Sequence, residues 1–188
     1  MASPVVDPAG SIAYLAMMTV RDILVVPDPR LRKISAQVPV VDDEVRRLID
    51  DMFETMYDAP GIGLAAIQIG DPRRIITIDT ARKGEEHRPM VFINPKVTWA
   101  SEELRVHEEG CLSIPEYYAE VERADRVRVA FLDRDGRAQD QEFSGVLATC
   151  LQHEIDHLDG GLFIDYLSRL KRERVMKKFS KQARRAAE

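Results

Sequence analysis

Cysteine and tryptophan are scarce in this chain, with two Cys and one Trp among 188 residues. Two cysteines, Cys111 and Cys150, cannot supply the disulfide framework of a small secreted domain. With an acidic balance (pI near 5.5) and no secretory signature, they point to a reducing cytoplasm in which both thiols stay free. Residues 1 to 18 contain no Lys or Arg, which argues against a secretory leader and against an Arg-rich targeting segment. They are expected to form a disordered, dispensable extension, with Met18 as an alternative start. No Gly/Ser-rich or Pro-rich linker interrupts the remainder and no internal repeat is visible. Residues 19 to 188 are therefore expected to fold as one domain long enough to bury a core. Neither DNA nor a membrane is expected as a partner.

Histidine is also sparse, four in all, yet two of the four fall in Gln152-His-Glu-Ile-Asp-His157. On a helix, residues i and i+4 lie one above the other, so His153 and His157 can direct ring nitrogens at one metal ion while Glu154 stands beside it. The surroundings favour a helix. Ser144 can cap its start; Val146, Leu147, Cys150, Leu151, Ile155 and Leu158 spread apolar surface over much of its circumference; and Gly160-Gly161 suits its end. Such a helix is expected to be buried, where an unsatisfied imidazole or carboxylate costs roughly a few kcal/mol. A metal ion would satisfy all three groups. The plainer alternative is a surface helix with scattered polar residues.

A catalytic metal site of this kind needs a third protein ligand and an open fourth position. Cys150 stands at i−3 from His153, but it lies seven residues, about 10.5 Å along the axis, from His157. One helix face does not easily bring all three to a single ion, so Cys150 reads as a small buried hydrophobe. Cys111 lies in Glu109-Gly-Cys-Leu-Ser-Ile-Pro115, a flexible segment able to bring a thiolate across the fold, although an ordinary buried Cys is the alternative. The pair of glycines in Gly61-Ile-Gly-Leu-Ala-Ala-Ile-Gln68 marks either a tight turn after Ala59-Pro60 or a close approach of backbone to a strand or ligand.

Taken in order, Gly61–Gln68, Glu109–Ser113 and Gln152–His157 resemble the three signature motifs of the peptide deformylases. Pro27-Asp-Pro-Arg-Leu-Arg32 and Leu158-Asp-Gly-Gly-Leu-Phe-Ile-Asp-Tyr-Leu167 are similar to that family as well, so the resemblance runs from about Thr19 to about Lys178. It implies that Cys111, His153 and His157 hold one divalent metal, iron(II) in the cell with zinc, nickel or cobalt as alternatives. It implies Glu154 as general base and acid in releasing formate from N-formylmethionyl nascent peptides. Gln68 and the Leu112 backbone N–H would be the oxyanion donors, and Ile62 and Gly63 would pair with the substrate main chain. Val146, Cys150 and Ile62 are candidates for the methionine pocket. Tyr117-Tyr118 stands where many bacterial relatives carry an Arg near Tyr118, which bears on downstream peptide preference. His107 reads as a residue of the site's rim or a plain strand residue.

Elsewhere, Val45, Leu48, Ile49, Met52, Phe53, Met56 and Tyr57 recur at helical spacing over residues 43 to 57, behind Asp42 or Asp43 as cap. Strands are expected at Ile75–Thr80, Met90–Val97, Tyr117–Glu122, Val127–Leu132 and Ala138–Phe143, the last two joined at Asp135-Gly136. Strands and helices are segregated, which predicts an α+β fold with antiparallel sheets around the His-bearing helix. Residues 168 to 188 hold nine Lys/Arg against two Glu, a charge pattern suited to a helix that leans on polyanions such as ribosomal RNA. The resemblance likewise implies docking at the ribosomal exit; a solvated charged helix is the alternative. Two rival functions stand beside deformylation: a zincin-like metalloprotease, and a non-catalytic metal-stabilised module that binds ribosomes.

Overall fold

Apolar residues on alternate faces of one short strand organise the core. In the computed structural model, which describes residues 19 to 82 and 84 to 186, strand β2 (Ile75–Ile78) is buried along its whole length. Ile76 and Ile78 face one hydrophobic cluster and Ile75 faces another, as a period of two requires when both faces of a sheet are covered. The expected disorder of residues 1 to 18 falls outside the described residues.

Five antiparallel strands run in the spatial order β1-β2-β3-β6-β7, with β1 at Gly63–Ala65, β3 at Met90–Ala100, β6 at Arg126–Leu132 and β7 at Ala138–Ser144. Helix α1 (Asp43–Asp58) covers one face through Val45, Leu48, Ile49, Met52 and Met56, and its start is capped by the Asp42 carboxylate, which accepts from Val45 N at 2.9 Å. Helix α2 (Gly145–Leu158) covers the other face through Ala148, Leu151, Ile155 and Leu158, against Phe92, Val127 and Val129. Full burial of a side chain such as Phe92 contributes roughly 2 to 3 kcal/mol. In β3 the register shifts between Ile93 and Lys96, and Pro95 sits in that irregularity, where its missing N–H breaks no ladder bond.

A separate hairpin of β4 (Leu104–Cys111) and β5 (Ile114–Ala124) turns over two residues, Leu112 and Ser113. Its inner face joins a third cluster of Ile114, Val121, Leu162 and Phe163, on which helix α3 (Arg169–Ala186) rests Val175 and Phe179. The architecture is a single α+β domain, as the segregated pattern predicts. All five expected strands are present with shifted ends: β3, β5, β6 and β7 extend beyond the expected bounds and β2 ends two residues short. Two strands escape the sequence reading. β1 has three residues, and of the two readings of the glycine segment, a tight turn after α1 or a close approach of backbone, neither named a strand there. β4 carries charge on both faces and is held by its partner rather than by its own apolar alternation. Ser144 occupies the N-cap position of α2, but its side chain makes no capping hydrogen bond. No helix among the described residues is long and apolar enough to cross a membrane.

Candidate active site

Three segments distant in sequence converge on the middle of α2. The hairpin turn brings Cys111 to the helix, and one ligand atom each from Cys111, His153 and His157 lies within 4.8 Å of the others. Cys111 Sγ is 3.2 Å from His157 Nε2. Cys150, on the same helix, is excluded from this group and packs in the core, 7% exposed, as its position along the axis predicts.

His153 is oriented by a residue that the motif contains but whose role its spacing does not reveal. Its Nδ1 lies 2.8 Å from Glu109 Oε2, and Glu109 is buried. Burial pushes the Glu109 carboxyl up, but bonds from His153 and Arg123 hold it below its ordinary value. An ionised carboxylate only accepts, so the proton sits on Nδ1 and Nε2 is turned toward Cys111 and His157. Arg123 in turn donates to Glu109 Oε2 at 3.0 Å and to Asp156 Oδ2 at 2.8 Å, with its guanidinium 4.7 Å from the Tyr166 ring centroid. This chain of charge, buried at Glu109 and Arg123, fixes the ring before any ligand arrives, as carboxylates do behind metal-binding histidines. Burial lowers the His153 imidazole, yet its bonds to Cys111 and Glu109 outweigh that and raise it well above the ordinary value, so a proton competes with a cation for Nε2. Burial and the neighbouring His153 push His157 well below its ordinary value, which keeps it in the neutral form that ligates.

Glu154 stands beside the three. Burial pushes its carboxyl up to about 7, and its Oε2 is a buried oxygen with no hydrogen-bond partner. Gly63 explains how it fits: a Cβ there would come within 2.5 Å of Glu154 Oε1 and 2.6 Å of Cys150 Sγ. Glycine on β1 is therefore required by close approach of backbone to the catalytic helix, the second of the two readings of the glycine pair. Gln68 reaches in from the turn after β1, buried, with Oε1 accepting from Ala65 N at 2.8 Å. That bond fixes the amide so that Nε2 faces the site, where it lies 3.1 Å from Ser113 Oγ and 3.6 Å from Cys111 Sγ. Ser113 is a contact the sequence reading did not single out; its signal lay in the motif it shares with Cys111.

These groups open on one cavity of about 430 Å³, lined among others by Ile62, Gly63, Gln68, His107, Leu112, Val146, Cys150 and Glu154. Every candidate substrate contact thus shares one cleft with Cys111 and His153. Tyr118 lies on its rim, its ring over Gly110, where a Cβ would come within 2.5 Å of the ring edge.

The donor set fits a divalent cation. A thiol from the hairpin and two imidazoles from α2, one neutral and one pre-oriented, converge, and the next residue along that helix from His153 carries a buried carboxylate oxygen with no partner. A Cys/His/His group on an α+β frame with a buried Glu beside it defines a metallohydrolase. Residues 20–173 match the polypeptide deformylase family model, and the chain belongs to that family. It is 59% identical to the peptide deformylase of Rhizobium meliloti (strain 1021) over 89% of this chain and 96% of that one. It is 61% identical to that of Agrobacterium fabrum, over 89% and 98% respectively. The fold superposes on the crystal structure of peptide deformylase from Ehrlichia chaffeensis in complex with actinonin with a TM-score of 0.83, at 43% identity, covering 88% of this chain and 98% of that one. The deformylase of Legionella pneumophila gives 0.81 at 46% identity, covering 90% and 98%. The chain is accordingly a metal-dependent hydrolase that takes the formyl group from N-terminal formylmethionine.

Proposed function

We propose that Cys111, His153 and His157 hold the catalytic cation, iron(II) in the cell, and that Glu154, Gln68 and Leu112 carry out deformylation around it. The observation that carries this reading is the convergence of the three ligand atoms on the helix that also carries Glu154, whose buried Oε2 has no partner. When bound, the cation acidifies the attacking water and draws charge from the formyl oxygen. Glu154, kept basic enough by burial to accept a proton near neutrality, takes one from the water and returns it to the departing amine. Gln68 Nε2, fixed by the bond from Ala65, and the Leu112 N–H donate to the oxyanion, each contributing about 3 kcal/mol in a dry site. The amide cannot titrate, so its donation is independent of pH.

The peptide follows β1. Among the described residues β1 is the edge of the five-stranded sheet with no strand on its outer side, and Ile62 and Gly63 there can pair with an extended substrate. Ile62, Val146 and Cys150 supply apolar surface for the methionine side chain. The substrates are formylated nascent chains in the cytoplasm, and the basic face of α3 supports contact with ribosomal RNA while its apolar residues hold it to the domain. The experiment is formate release from a formyl-Met tripeptide while metal-free protein is titrated anaerobically with iron(II). Activity is expected to rise to a plateau at one equivalent; a plateau elsewhere, or cleavage of the peptide chain instead of formate release, would overturn the reading.

A further inference from the structure

His107 has a buried Nε2 with no hydrogen-bond partner and lines the same cavity as Val146 and Cys150. On β4 it lies two residues before Glu109, so the two side chains leave the same face of the strand, and Glu109 bonds His153 on α2. Directly opposed residues of an antiparallel pair share a face; His107 is opposite Val121, which is 2% exposed in the core. His107 therefore points inward. Val146, Thr149 and Cys150 lie one to two turns before His153 on α2, and all three line the cavity with it. A plain strand residue would be satisfied or solvated, and an apolar pocket wall would need no nitrogen.

Resting on the reading of this cavity as the pocket for the first side chain, we propose that His107 determines its specificity by donating an Nε2–H bond to an acceptor on that side chain. Methionine offers only acceptors at its tip: a weak one as the thioether and a strong one as the sulfoxide oxygen. The pocket is thereby suited to N-formyl peptides that begin with methionine sulfoxide as well as methionine. A site that hydrogen-bonds its substrate loses discrimination when the donor is removed, whereas apolar contacts tolerate the exchange.

The test uses the metal-loaded enzyme and two formyl tripeptides that differ only in the first residue, methionine sulfoxide or norleucine. The readout is the ratio of their kcat/KM values, which is unaffected by the fraction of a variant that folds or binds metal. His107→Leu is expected to lower the sulfoxide-to-norleucine ratio about tenfold, the worth of one ordinary hydrogen bond. His107→Gln, which keeps an N–H donor, is expected to recover most of it. A His107→Leu ratio within twofold of the wild type overturns the assignment. Failure of the wild-type enzyme to release formate from either peptide would instead overturn the reading of the pocket itself, and the assignment with it.

Discussion

Helices α2 and α3 both carry many polar residues, yet only one of them discloses its function through them. On α2, His153, Glu154 and His157 are 7%, 4% and 1% exposed, so each had to be satisfied by something specific. Glu109 bonds His153 and is itself held by Arg123, which also bonds Asp156, while Oε2 of Glu154, a residue that lines the cavity, keeps no partner. On α3, Val175 and Phe179 hold the helix to the domain while its cationic residues stand in solvent, as the 85% exposed side chain of Arg169 illustrates. A charge in water costs little, so its presence constrains little. Polar residues inform about function in proportion to the cost of placing them where they are.

This contrast can be broken by mutation. The largest effect is expected at Glu154. Glu154→Gln keeps shape and burial but removes the base, and kcat for formate release should fall by about 10² to 10⁴-fold with metal content unchanged. Gly63→Ala adds a methyl group 2.5 Å from Glu154 Oε1, and the displaced carboxylate should cost about 10²-fold in kcat/KM. A smaller change is expected one layer out. Glu109→Gln leaves Arg123 buried beside a neutral partner and loosens the His153 ring, so metal affinity should weaken by about 10 to 100-fold. Chemical denaturation of the same variant should show a loss on the order of 3 kcal/mol. The smallest effect belongs to α3, where Lys177, Lys181 and Arg184 changed together to Gln should shift stability by less than about 0.5 kcal/mol each and leave deformylation of a free peptide as it was. Ribosome co-sedimentation, by contrast, should weaken with those three. Phe179→Ala on the same helix should cost about 3 kcal/mol, and an equal cost from the three cationic residues would erase the distinction between the two helices.

The same physics explains what the sequence disclosed. The i, i+4 histidines of α2 and the separation of Cys150 from His157 follow from helix geometry alone, and apolar periodicity located α1 and every strand of the main sheet except the three-residue β1. β4 stayed hidden because its inward positions include Glu109 and His107, polar residues that defeat the alternation test. The role of Glu109 was hidden for a related reason: it bonds His153 across 44 positions of sequence, a relation no local pattern encodes. Gly63 was legible as a place of close approach, but only the fold shows that the neighbour is Glu154.

The central claim is that the buried polar groups of α2 were placed for a metal. Anomalous diffraction from crystals of the protein loaded with one equivalent of iron or nickel tests it directly. The account predicts a single peak bonded at about 2.0 to 2.3 Å to Cys111 Sγ, His153 Nε2 and His157 Nε2, with Glu154 beside it and outside the ligand set. A cation held elsewhere, or one bound by Glu154 with the Cys111 thiol free, would contradict it.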